Sequence, residues 1–430
     1  MKVFIKASIF QLFKSILPAV IASLIMSAAA FGLDYVSSSI IWQLISIVLC
    51  IAIYFILIYL YDKKLLTELL STFGIKINKE NYKRRESDDG ILEKCNFIKV
   101  VMMLVVILCH SVSLWARGGW FNQAPAQSSK VLAYLSDWFG TFHVYTFVFV
   151  SGYLFYYLKV ELGKYNTFGA LIGNKSKRLL IPYAVVSLIW VIPAYLLFFN
   201  PTAFDIIKNY AFAIAPSQLW FVIMLFGVFF LFYPFLKFFE EYSWIYGCLF
   251  CLILYGIGVV CSSFVPNVFS LFTTLKYFIF FYFGFAIRKY KCNFLINVPW
   301  YLYFALQVAL YSLYYFVISV QQGMIFTLLS IALHSLCAVV GVLMVVTLAK
   351  KIKVKRLESS KVYKLLSKHN FVMYLFHQQL IYCTISLLNG VLNPYLLAVV
   401  NFVFATVVSL GIAILINKIP KIKTLFGYKG

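Results

Sequence analysis

Two ionisable side chains interrupt one largely apolar stretch, Cys95 to Trp115: Lys99 and, eleven residues later, His110. At about 100° per residue, eleven steps close about three helical turns, so both groups share one face, about 16 Å apart along the axis. Ionisable groups at membrane depth are costly and usually face a protein interior or a water-filled cavity, where they mark function. A neutral imidazole beside a hydroxyl is a general base, and a nearby cation suits a developing oxyanion. His143 and Lys276 also fall within apolar runs. If the helix of His110 runs outward and the next runs inward, His110 lies about 22 Å from the inner edge and His143 about 6 Å below the outer edge. Lys276 then lies about 12 Å below that edge. The chemistry expected of His110, His143, Lys99 and Lys276 is proton abstraction from a hydroxyl in a polar cavity. The plainer reading makes each a core residue bonded to a backbone carbonyl, and it is the expectation for His334.

The elements that must position these residues are membrane helices. Of 430 residues 63% are hydrophobic and 12% charged, with mean hydropathy +0.91, which excludes a soluble fold. Apolar runs cover 12–33, 40–60, 95–115, 139–158, 179–199, 219–236, 244–261, 268–287, 298–320, 324–348, 371–388 and 396–416. Each approaches the ~20 residues that cross ~30 Å of hydrocarbon. An all-α polytopic membrane protein of about twelve spans results, two followed by ten.

The formal charge of +23 does not imply nucleic acid, because the basic residues cluster in alternate loops. One set holds Lys63 to Lys94, then Lys175, Lys177 and Arg178, then Arg288, Lys289 and Lys291, then Lys350 to Lys368; the other holds little beyond Arg117, Lys130 and Lys208. Positive loops stay in the cytoplasm, so both termini are expected there, in a multi-pass protein of the cytoplasmic (inner) membrane. The first run lacks a small-residue cleavage site and reads as an anchor. The nine cysteines lie mostly in apolar runs, which argues against disulfides. Cys248 and Cys251 have no second pair to complete a metal site, so no metal is expected. Hydrophilic residues 62–93 read as a cytoplasmic linker between a two-helix segment, 1–61, and a ten-helix domain, 94–430. All fourteen acids lie outside the apolar runs, which weighs against proton-coupled transport.

From about Gly90 onward the chain resembles the membrane acyltransferase-3 family, in its sugar O-acetyltransferase branch. The resemblance rests on Phe97-Ile98-Lys99 leading to Cys109-His110, and on Phe142-His143-Val144 leading to Phe149-Val150-Ser151-Gly152-Tyr153. Further echoes are Lys177-Arg178-Leu179-Leu180-Ile181-Pro182-Tyr183, Leu219-Trp220-Phe221, Phe283-Gly284-Phe285 and Tyr374-Leu375-Phe376-His377. Lys99 stands where the family commonly has arginine, which keeps the charge and loses the planar fork. The first two runs, with Lys14-Ser15-Ile16-Leu17-Pro18 and Tyr61-Asp62-Lys63-Lys64, resemble the C-terminal end of a polysaccharide flippase.

The resemblance implies transfer of an acetyl group from acetyl-CoA, a co-substrate rather than a bound cofactor, to a hydroxyl of a cell-surface or lipid-linked saccharide. With the depths above, it makes His110 the base or, by a covalent acetyl-histidine route, the acyl carrier, His143 an orienting or relaying group, and a lysine, Lys99 or Lys276, the oxyanion partner. Lys175, Lys177 and Arg178 then meet the donor phosphates; their plainer reading is ordinary cytoplasmic positive charge. Ser151, Trp220, Lys276 and His377 are expected along the substrate path, with His377 inward of mid-depth and lining the donor channel. For Ser151 and Gly152 the alternative is close helix packing, and for Trp220 the interfacial aromatic belt. Partners would be acetyl-CoA, the acceptor and membrane lipid, without nucleic acid. Two other readings stay open: a flippase-like component moving lipid-linked saccharide, and an inactive relative serving as a scaffold.

Overall fold

The computed structural model describes residues 89–428 except 118, 321, 322 and 353; the expected runs 12–33 and 40–60 and most of the linker lie outside them. The described helices are α1 (Asp89–Val112), α2 (Lys130–Gly140), α3 (His143–Tyr156), α4 (Phe168–Phe199), α5 (Trp220–Phe232), α6 (Trp244–Cys261), α7 (Leu271–Lys289), α8 (Trp300–Val320), α9 (Met324–Lys351), α10 (Lys361–Leu388) and α11 (Pro394–Lys418). Among the described residues nine helices are long and apolar enough to cross a membrane. The expected run 139–158 becomes α3 and one further π turn, Tyr157–Glu161.

Contacts divide the described chain into two compact units, one of residues 234–265 and one of the remainder. In the smaller unit α6 carries Cys251 with no exposure, and Phe235, Phe238 and Phe239 pack around Phe250.

In the larger unit α1 is the central post, packed against α3, α9, α10 and α11. Burial orders the helices: 61% of the apolar window of α1 and 72% of that of α10 are buried, against 22% for α8 and for α11. The outer helices α8 and α11 turn Leu, Val and Phe outward and keep a few polar side chains, Gln307 and Asn401 among them, on their buried faces.

The most extensive pairs are α3 with α7, α8 with α9, and α10 with α11. The first is built on small residues. A Cβ on Gly152 would lie 1.9 Å from the carbonyl oxygen of Phe281, and one on Gly284 would lie 1.9 Å from that of Phe149. No side chain fits either place, so the backbones meet through reciprocal glycines.

Local chemistry explains several boundaries. Asn393 caps α11 ahead of Pro394 at its first position, and Ser360 caps α10. Within α4, π turns at Ser176–Leu180 and Ser187–Val191 precede the turns of Pro182 and Pro193, where the missing N–H and the ring both oppose regular α geometry. Three helices begin earlier than apolar length alone suggests: α1 six residues before Cys95, α4 eleven before Leu179, and α10 ten before Phe371. Charged residues in the opening turns of α1 and α10, and the polar stretch Asn174 to Arg178 in α4, lie ahead of the apolar runs. A short helix, α2, precedes α3 and was not expected; its N-cap is Ser129.

Candidate functional site

The site has two parts, joined by α3 and α10. The first is a group of imidazoles. His110 Nδ1 lies 2.7 Å from His377 Nε2, with the rings nearly parallel at 10° and centroids 4.9 Å apart. His377 Nδ1 is 2.6 Å from the carbonyl oxygen of Tyr374. A carbonyl only accepts, so His377 donates there, and the Nε2 of the neutral ring is an acceptor. His110 therefore donates its Nδ1–H to His377, and its own Nε2 carries a bare lone pair. His143 is fixed similarly, donating Nδ1–H to Phe139 O at 2.6 Å. It stands within electrostatic reach of both His110 and His377. Two imidazoles thus hold basic Nε2 atoms in one neighbourhood, His143 being buried and His110 half-buried.

The rotation of α10 that places His377 is set by amides. Gln218, 1% exposed, donates to Leu375 O at 2.9 Å and to Gln379 Oε1 at 2.7 Å. Gln379 returns a bond to Gln218 Oε1 at 2.9 Å, and the Tyr374 hydroxyl donates to Gln218 O. On the other side, buried Asn401 of α11 donates to Ser111 O beside His110, 3.1 Å, and accepts from Thr384 of α10, 2.5 Å. A buried polar network satisfied this fully fixes one arrangement of its helices.

Beyond His110, the segment joining α1 to α2 carries Trp120, whose ring centroid is 5.3 Å from that of His110 and 5.0 Å from that of Tyr382. Phe121 stacks on Tyr382 at 4.7 Å. The segment is clipped to the α10–α11 turn by Ala126 N–H to Asn389 Oδ1 and Asn389 Nδ2–H to Ala124 O, both 2.9 Å. Nearby, Arg117 lies over the Tyr315 ring at 3.9 Å and faces Asp137 at 3.9 Å. Partial burial pushes the Asp137 carboxyl up from its ordinary range, and Arg117 opposes that rise.

The second part is a cavity of about 690 Å³ at the end of the bundle that carries the basic loops. Among the described residues its wall holds five cations, Lys99, Lys175, Arg178, Lys368 and Lys423, and no carboxylate. Lys175 also lies 3.6 Å from the centre of the Phe229 ring. Further in, the wall is apolar and aromatic, with Phe147, Leu154, Phe155, Phe221 and Leu225. It extends to Phe147 on α3 and Tyr374 on α10. Those residues are four and three positions from His143 and His377, about 6 and 4.5 Å along each axis. The cavity therefore ends about one turn short of the imidazoles on both helices.

The sequence-derived candidates separate accordingly. His110, His143 and His377 come together. His377 stands level with His110, because α10 starts ten residues earlier than its apolar run and carries this side chain sixteen positions along the helix; the expected place inward of mid-depth is corrected. Lys99 is apart from His110 by the three turns of helix between them and lines the basic cavity with Lys175 and Arg178. Lys177 is exposed and outside the cavity wall. Ser151 lines the cavity and donates to Phe147 O at 2.9 Å, while Gly152 makes the backbone contact with α7. The packing reading holds for Gly152, and Ser151 stands on the cavity wall. Trp220 packs on Tyr277 at 5.7 Å. Lys276 is outside the cavity wall and within electrostatic reach of His334, whose ring stands against Tyr145 and Tyr314.

Sequence reasoning missed Gln218, Gln379 and Asn401, Lys368 and Lys423, and the buried pair of Glu161 with Arg288, bidentate at 2.8 Å for both bonds. Amides within or at the edge of apolar runs, Gln379 and Asn401 inside and Gln218 just before one, were the available signal for the first group. The ion pair joins residues 127 positions apart, and no local pattern announces it. Among the described residues no cluster of three or more His, Cys, Asp or Glu is arranged to hold a metal ion.

No curated protein and no solved structure matched the chain. A family model did: that of the acyltransferase domain matches residues 93–418, from the first turn of α1 to the last of α11. With paired histidines above a cationic cavity inside helices of spanning length, and that match over most of its length, the chain belongs to the acyltransferase-3 family of membrane acyltransferases.

Proposed function

We propose that this protein is an O-acyltransferase that carries an acetyl group from acetyl-CoA to a hydroxyl of a cell-surface or lipid-linked saccharide, with His110 as the general base. One observation carries the reading: the bond from His110 to a second histidine that is itself tied to a backbone carbonyl, one turn above a cavity lined by cations. The basic end faces the cytoplasm, in accord with the charge of its loops. The donor enters there. Its phosphates meet Lys175, Arg178 and Lys99, and its long arm follows the apolar wall toward Tyr374. The acceptor hydroxyl approaches from the opposite end, where Trp120 and Tyr382 flank the histidines.

His110 Nε2 takes the hydroxyl proton as the oxygen bonds to the acyl carbon. The carbon–sulfur bond breaks, and the imidazolium returns that proton to the departing thiolate, so the ring ends neutral. His377 accepts from Nδ1–H throughout, fixing the tautomer and sharing the transient charge. His143 offers a second basic nitrogen for orienting the hydroxyl. Lys99, placed in the cavity, serves the donor rather than the oxyanion.

The test is transfer of labelled acetyl from acetyl-CoA to a saccharide acceptor by the purified protein. His110→Ala is expected to lower the rate by about 10²- to 10⁴-fold while the protein still inserts and purifies normally. Undiminished transfer by that variant removes His110 from the mechanism. Movement of the acceptor across liposomes without acetyl-CoA, and no transfer, sinks the enzymatic reading.

A further inference from the structure

After α11 the chain turns back on the bundle as one helical turn, Pro420–Lys423, and one 3-10 turn, Thr424–Phe426. It is tightly docked. Phe426 is 3% exposed, with its ring 5.8 Å from Phe376. Gly427 has φ +83°, and a Cβ there would lie 3.1 Å from Arg178 O and 3.2 Å from the Phe371 ring, so both conformation and space require glycine. The Tyr428 hydroxyl lies 2.5 Å from His369 Nδ1 and donates to Ala413 O at 3.2 Å; with its one proton so used, it accepts from the imidazole. The seat makes Lys423, Phe426, Gly427 and Tyr428 part of the wall of the cationic cavity, with Lys368 and Arg178.

We propose that segment 420–428 is a strap for the phosphate groups of the acyl donor: Lys423, together with Lys368, selects a phosphorylated thioester over one lacking phosphates. The proposal rests on the reading of the cavity as an acyl-CoA site. Its physical basis is a wall with five cations and no carboxylate among the described residues, two of the cations coming from the docked turn and the first turns of α10. Clustered cations of this kind reward a multiply charged anion, and truncated donors forfeit that binding.

The experiment uses the full chain in nanodiscs. Coenzyme A binding is measured first, for wild type, Lys423→Gln, Lys368→Gln and the double variant. Acetyl transfer is then compared between acetyl-CoA and S-acetyl-N-acetylcysteamine, which carries no phosphate. The double variant is expected to bind coenzyme A about tenfold more weakly, and to lose its preference for acetyl-CoA over the short thioester by a similar factor, through KM rather than kcat. Equal coenzyme A affinity in all four proteins overturns the strap alone. Equal loss with both donors identifies a structural role and also overturns it. An effect of the substitutions seen in anionic-lipid nanodiscs and absent in zwitterionic ones assigns the lysines to lipid headgroups, against the proposal. Wild type that binds no coenzyme A overturns the acyl-CoA reading and the strap with it.

Discussion

His377 controls the chemistry available to His110. A lone imidazole divides its proton between two nitrogens; here the Tyr374 carbonyl orients His377, and His377 orients His110. Replacing His377 with Gln leaves a side-chain oxygen to accept from His110 Nδ1–H, whereas Ala leaves nothing. We expect transfer to fall about tenfold for His377→Gln and about 10²-fold for His377→Ala, checked by kcat at saturating donor. Equal rates in wild type and both variants would reduce His377 to packing. That His110 and His143 face the protein interior was legible from their place in apolar runs; the pairing of His110 with His377 was not. That Lys99 serves a different part of the site follows only from seeing what each helix turn faces.

Among the helices, α3 and α7 illustrate how closely elements are committed to one another. The Gly152 and Gly284 contacts leave no room for even one methyl group. Gly152→Val is expected to cost at least about 1–3 kcal/mol through overpacking, seen as a lower melting temperature and loss of monodisperse protein in detergent. Ser151→Ala, one residue away, keeps the fold. A Gly152→Val protein with unchanged melting temperature contradicts the backbone contact. The same pair is tied at the basic end by buried Glu161 and half-buried Arg288. Hydropathy located the apolar runs but not the ends of the helices, and run 139–158, divided among α2, α3 and a π turn, is not one of the nine helices of spanning length among the described residues. α1 and α10 open on charged residues, Asp89 with Glu93 and Lys361 with Lys364, and in α4 the polar stretch Asn174 to Arg178 separates the opening turn from the apolar run; a window tuned to hydrocarbon passes over all three.

Within the larger unit a cationic end is separated from an aromatic one. If the basic end is cytoplasmic, a cysteine placed at exposed Lys177 reacts with an impermeant maleimide only from the cytoplasmic face, and one at Gln123 only from the other. A cysteine at Arg178, on the cavity wall, is expected to be protected by coenzyme A. Labelling of position 177 from outside the cell reverses the orientation and removes the cytosolic donor route.

Composition, run length and loop charge determined that this is a helical membrane protein, and the order of its motifs pointed to the acyltransferase family that residues 93–418 match. These are properties that each segment carries alone, through transfer free energy and periodicity. Tertiary structure alone decided that His377 bonds His110 across 267 positions, that Gln218 and Asn401 fix α10, and that Lys423 lines the cationic cavity. Such pairings depend on the rotation and depth of helices set by their packing against one another, and no single stretch of sequence encodes either quantity.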